Sequence, residues 1–143
     1  MPITKTKSLN LSAYTKSEKE ILKKLKSIGY LSDHFEDKDK LIELSRTENK
    51  DIRYYSILNL AKLSDVNLLH FFEELINTEH TSKNRREIAS AIGRLRSPDA
   101  IPILINLLKD SDQNIILQAI RGLLVFKDDQ KIKNKLKKLK NHE

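Results

Sequence analysis

The chain has 143 residues and a formal net charge of +7, with 27 Lys and Arg against 20 Asp and Glu. It contains no Cys, which excludes a disulfide framework and Cys-ligated zinc. Its longest apolar runs, at 101–108 and 120–126, fall well short of the roughly 18 residues that a membrane-spanning helix needs.

A chain of this length predicts one domain with a core of its own. The missing Cys fits a reducing compartment, and we read the protein as cytoplasmic. The basic balance favours acidic partners: nucleic acid, an acidic protein face or an anionic membrane surface. Scarce Gly and Pro with abundant Lys, Leu, Ile and Glu suit helices joined by short polar turns.

Residues 1–16 are rich in Ser and Thr, carry Lys5, Lys7 and Lys16, and lack the apolar segment of a secretory signal. They read as a basic arm, either flexible or ordered by Leu9, Leu11 and Tyr14 packing on the first helix. Residues 17–143 read as a single repeat domain. Ser17 with Glu20 has the pattern of a capping box before Ile21, Leu22, Leu25 and Ile28, and Gly29 offers a left-handed stop. A short apolar run, Leu41, Ile42 and Leu44, follows after an insertion at 34–39.

Segments 52–78 and 84–110 superimpose without a gap at an offset of 32 residues. Arg53 falls on Arg85, Leu60 on Ile92, Ala61 on Gly93, Leu63 on Leu95, Phe72 on Leu104 and Leu75 on Leu107. A third copy starts near Ile115 at an offset of about 31, placing Ala119 on Ile88, Gly122 on Ala91 and Leu123 on Ile92. Its match decays after Ile132, as the wet outer face of a terminal repeat requires.

Each copy reads as two helices. Ser64 with Asp65, Ser97 with Pro98, Ser111 with Asp112 and Asp128 with Asp129 mark helix starts. Short helices joined by short turns lie antiparallel, and stacked pairs bury what one pair leaves exposed. The pattern predicts eight helices in four pairs. The expected core is Ile21, Leu25, Leu41, Leu44, Ile57, Leu60, Phe72, Leu75, Ile88, Ile92, Leu104, Leu108, Ala119, Leu123 and Ile132.

The ordered series Arg85, Ala91, Ile92, Gly93, Leu95, Pro98, Ala100, Ile101, Pro102, Leu104, Leu107, Leu108 and Asp110 resembles the HEAT-repeat family, especially its short bacterial, phycobilisome-lyase-like branch. The likeness is close over most of the chain and loose over 17–50. It implies an all-α fold, a right-handed α-solenoid of about four stacked helix pairs. It also implies a ladder of inter-repeat hydrogen bonds in which Arg53, Arg85 and Asp110 fill the family's slots. Ile116 stands where the next Arg belongs, so the ladder is expected to stop before the last repeat. The family includes scaffolds, adaptors, bilin lyases and DNA glycosylases, so the resemblance selects no activity.

The residues themselves point away from catalysis. His34, His70, His80 and His142 include no pair at the i, i+4 spacing of a helical metal site, and we expect no metal and no cofactor. Glu73 with Glu74 and Asp128 with Asp129 are sequence neighbours that point to different helix faces. There is no Gly-rich phosphate loop, Ser elbow or Cys nucleophile. Gly93 and Gly122, read as mid-helix residues, are expected where helices pack closely. A base-flipping glycosylase needs aromatic walls, and this chain has no Trp, with Tyr14, Tyr30, Tyr54 and Tyr55 scattered. No motif beyond the repeat supports a bilin lyase.

The surface carries the functional reading. If the second helices line the concave side, equivalent positions form rows: Glu43, Glu74, Asn106, Lys137 and Arg46, Asn77, Lys109, Lys140. The candidate partner-binding residues are Arg46, Asn77, Asn106, Lys109, Lys133, Lys137 and Lys140. Residues 130–140 hold six lysines and no acid, with Ile132, Leu136 and Leu139 on one face. That segment reads either as a solvated capping helix or as a phosphate-contacting patch without base readout. A non-catalytic scaffold with a protein partner ranks first, and a nucleic-acid-binding accessory domain second. The oligomeric state is not legible.

Overall fold

The computed structural model describes residues 14–27 and 38–140, with the side chains of Ser27, Leu139 and Lys140 left undescribed. The expected stop at Gly29, residues 34–37 of the expected insertion and the packing of Leu9 and Leu11 lie outside the described residues, and Lys38 and Asp39 open the second helix. All regular structure among those described is helical, as the resemblance implied. The elements are α1 (Lys16–Ser27), α2 (Lys38–Leu44), α3 (Lys50–Lys62), α4 (Leu69–Thr78), α5 (Ser82–Arg94), α6 (Ile101–Leu107), α7 (Gln113–Leu124) and α8 (Gln130–Lys140). Short 3-10 turns, Val66–Leu68 and Pro98–Ala100, lead into α4 and α6. The chain divides into two compact units, Met1–Lys62 and Leu63–Glu143.

In the first unit α1 and α2 both pack on α3. The capping box stands two residues before the expected one. Thr15 N–H donates to Glu18 Oε1 at 3.0 Å, and Glu18 N–H donates back to Thr15 Oγ1 at 3.1 Å. The Tyr14 hydroxyl donates to the Asp51 carboxylate, tying the head of α1 to the first turn of α3. Asn49 caps α3: its Oδ1 accepts from the N–H groups of Asp51 at 2.9 Å and Ile52 at 3.1 Å. The core is Leu22, Leu25, Leu41, Leu44, Ile52, Ile57 and Leu60. Leu22 takes the buried place expected of Ile21, which sits half-buried at the edge of the α1 stripe.

In the second unit the helix starts repeat with the sequence. Asp65 accepts from Asn67 N–H at 2.9 Å, Ser97 Oγ from Asp99 N–H at 3.2 Å and Asp129 from Lys131 N–H at 2.9 Å. These three caps stand 32 residues apart, and Asp112 caps α7 through Asn114 N–H at 2.8 Å. The residue before each of the first two caps is left-handed: Ser64 has φ 50° and Arg96 φ 54°. Phe72, Leu75, Ile76, Ile88, Ile92, Leu104, Leu107, Ile115, Ala119, Leu123 and Ile132 fill the core. Leu107 replaces the expected Leu108. The chain tightens there, with Leu108 N–H on Ile105 O and Lys109 N–H on Asn106 O, both at 3.1 Å, and this turns Leu108 partly off the core face.

Gly93 and Gly122 lie near the carboxyl ends of α5 and α7, not mid-helix, and they set the closest approach of the two helices. A Cβ on Gly122 would stand 2.9 Å from Gly93 Cα and 2.9 Å from Leu104 Cδ1; one on Gly93 would stand 3.2 Å from Gly122 Cα. Backbone on the far side cannot swing away as a side chain can. We therefore expect Gly122→Ala to destabilise the protein by about 1–3 kcal/mol through overpacking, despite a helix-propensity gain of up to about 1 kcal/mol. Urea unfolding measures this, and a variant at least as stable as the parent contradicts the close packing.

Candidate functional site

The site is built around the amino-terminal turn of α5. Arg85 there donates through Nε to the Ile76 carbonyl of α4 at 3.3 Å. Its Nη1 and Nη2 form a two-pronged bond to Asp110, just beyond α6, at 3.2 and 2.9 Å. Asp110 Oδ1 also accepts from Asp112 N–H at 2.9 Å. Arg85 is 24% and Asp110 13% exposed, so the pair is sheltered without being sealed from water. The Arg85 guanidinium holds the Asp110 carboxyl below the usual carboxylate range, against an opposing effect of burial. A more exposed pair, Arg86 Nε to Asp112 Oδ2 at 2.9 Å, flanks it and lowers Asp112 in the same way.

One clamp thus holds the carboxyl ends of α4 and α6. Between these helices lies a groove of about 330 Å³. His70, Glu73 and Asn77 of α4 form one wall, with Asp99, Ile103 and Asn106 opposite. Ile76 and Leu107, both nearly buried, make its apolar floor with Pro102. His70 Nδ1 lies 3.5 Å from Glu73 Oε1. No Lys or Arg lines the groove, although the chain holds 27 of them.

The sequence-derived candidates divide among several places. Asn77 and Asn106 face each other across the groove. Lys109 is exposed in the turn after α6, and Lys133 and Lys137 are exposed on α8. Lys140 is the last residue of α8. Arg46 is exposed in the turn after α2, in the first unit. Of the three ladder residues, the structure brings Arg85 and Asp110 together. Arg53 donates through Nη1 to the carbonyls of Thr47 and Glu48, each at 3.0 Å. The position 32 residues before Asp110 is Thr78, which has no carboxylate to offer.

The sequence reading named neither Asp99 nor Ile103 as a site residue, and it weighed His70 and Glu73 only for metal and acid–base chemistry. Equivalent positions of successive repeats point the same way, so rows drawn at an offset of 32 run along the surface. A groove is walled by opposing flanks, and here Asn77 meets Asn106 at an offset of 29. The legible signal was the i, i+3, i+7 spacing of His70, Glu73 and Asn77, which places them on one flank of α4.

Among the described residues no group of three or more His, Cys, Asp or Glu is placed to hold a metal ion, and no helix is long and apolar enough to cross a membrane. A family model for HEAT repeats matches residues 38–124 and 72–140. No curated protein and no solved structure matches the chain.

The clamp gives a pH signature. A folded-state pKa below the unfolded value means that Asp110 contributes its stability above the ordinary carboxylate pKa of about 4 and loses it as pH falls through the lowered value. We expect Arg85→Met to cost about 2 kcal/mol at pH 7 and distinctly less in acid, below the lowered Asp110 value, where the parent too has lost the carboxylate charge that Arg85 holds. Urea midpoints at the two pH values check this. An equal loss at both contradicts the ionic character of the clamp.

Proposed function

We propose that this chain, which belongs to the HEAT-repeat family, is a non-catalytic scaffold that holds a protein partner on the side formed by its second helices. The observation that carries this reading is the groove between α4 and α6, where exposed Asn77 and Asn106 flank an apolar floor. Side chains there combine apolar area with exposed amide groups that can donate and accept hydrogen bonds, the usual make-up of a protein-binding surface. Lys109 extends the same side, and Arg46 is the corresponding candidate on the first unit. Repeat proteins use such surfaces because stacked helices present them rigidly, which limits the ordering cost of binding.

A second reading rests on α8. Lys131, Lys133, Lys135, Lys137 and Lys138 are all exposed, and the helix has no acid. Ile132, 1% exposed, anchors it to the second unit. Such a surface suits phosphate contacts without sequence readout.

Photo-crosslinking separates the two. A photoreactive residue at Asn106 or Lys109 is expected to give one protein adduct of defined mass in cells, whereas the same residue at Leu117, exposed on α7, gives none. Adducts of equal yield at Leu117 overturn the assignment to the second-helix side. Binding of a labelled duplex that weakens steeply with salt, and that is lost when Lys133, Lys137 and Lys140 are changed together to Glu, transfers the function to α8.

A further inference from the structure

The groove between α4 and α6 suits a strand of chain in its size and its charge. Its volume of about 330 Å³ is at the small end of ligand sites, enough for one long side chain with its flanking backbone. Its charge runs against that of the whole molecule. Two carboxylates, Glu73 and Asp99, stand on opposite walls with no lining Lys or Arg, in a chain of net charge +7. An anionic ligand would meet both carboxylates with no lining Lys or Arg to offset them, and the imidazole of His70 already lies 3.5 Å from Glu73 Oε1; a purely apolar ligand would strand the walls' polar groups.

From this complementarity, and resting on the protein-partner reading above, we infer that the groove takes an extended peptide segment carrying an arginine or lysine. The aliphatic stem of that side chain lies on Pro102, Ile103 and Leu107, and its charged head meets Glu73 and Asp99. The amides of Asn77 and Asn106 each donate and accept, so they match the N–H and C=O groups of an extended backbone. Arginine suits the site better than lysine, because its planar fork reaches two acceptors at once. The Asp99 carboxylate takes no part in capping the 3-10 turn, since only the backbone N–H of Asp99 bonds to Ser97 Oγ, and the carboxylate can turn to such a ligand.

The test is an NMR titration of the ¹⁵N-labelled full chain with two end-blocked peptides, Ser-Arg-Leu-Arg-Ser and Ser-Glu-Leu-Glu-Ser. We expect the arginine peptide to bind with a dissociation constant on the order of 100 μM, and to shift the amides of Glu73, Asn77, Ile103 and Asn106. The glutamate peptide is expected to bind at least tenfold more weakly. The double change Glu73→Gln and Asp99→Asn leaves the fold in place, as its amide spectrum reports, and is expected to weaken the arginine peptide at least tenfold. Equal binding of the two peptides, shifts that map elsewhere, or indifference to the double change overturns the inference. Peptide binding lost to self-association, seen as concentration-dependent sedimentation of the free protein, overturns it in favour of a second copy. If the peptide fails while crosslinks persist at Asn106, only the arginine assignment falls; if both fail, the protein-partner reading falls with it.

Discussion

Arg85 gathers three pieces of chain that are distant in sequence: the carboxyl end of α4, the start of α5 and the turn beyond α6. Helix ends leave carbonyls without intrahelical partners, and a guanidinium with five N–H groups satisfies one while still gripping a carboxylate. The Asp110 carboxylate passes the restraint on to the amide of Asp112, which caps α7. Four successive helices are therefore indexed to one cation. The groove walls follow from this, since Ile76 and Asn77 sit at the gripped end of α4, and Asn106 and Leu107 sit close before Asp110.

Close helix packing explains why two glycines stand where they do. The Arg86–Asp112 pair joins α5 and α7 at their amino ends, and near their carboxyl ends Gly93 and Gly122 meet backbone to backbone. A ladder of caps then sets the phase of each helix pair. Asp65, Ser97 and Asp129 begin the second helices, while Asn49, Thr81 and Asp112 stand at the starts of α3, α5 and α7 at offsets of 32 and 31. Asp, Ser and Asn side chains cap these helices in the same way, while Thr81 opens α5 without a side-chain cap, so the repeat keeps its period while its letters change.

This tolerance decides what was readable beforehand. The period of 32 and the apolar stripes around Ile88, Ile92 and Leu104 are set by burial, which few residue types satisfy, and so they stand out in the sequence. The caps at Asp65, Ser97, Asp112 and Asp129 were visible because side chains that accept from a helix's first N–H groups come from a short set of residue types. The left-handed residues before the second helices were not, because Ser64 and Arg96 occupy positions where glycine would have announced them. Ser56 breaks the pattern too: it is fully buried where the next repeat has Ile88, and its hydroxyl has no partner among the described residues. The groove was half legible. Asn77 and Asn106 came from the repeat register, but Glu73 and Asp99 depend on how far α4 and α6 stand apart, and no periodicity encodes that distance. The lysines of α8 were plain to see, yet they belong to a different surface from the groove.

Arg85 thus fixes the spacing of α4 and α6, and thereby the groove. The chain has no Cys, so spin labels at Asn77→Cys and Asn106→Cys report that spacing without background. Pulsed electron–electron double resonance on this doubly labelled protein, with and without Arg85→Met, is the most direct measurement. A single narrow distance distribution is expected, one that broadens or shifts by several ångström when Arg85 is replaced, while the helical content stays the same. An unchanged distribution in the Arg85→Met protein contradicts the role of Arg85 and places the spacing in the apolar floor of Ile76 and Leu107 instead.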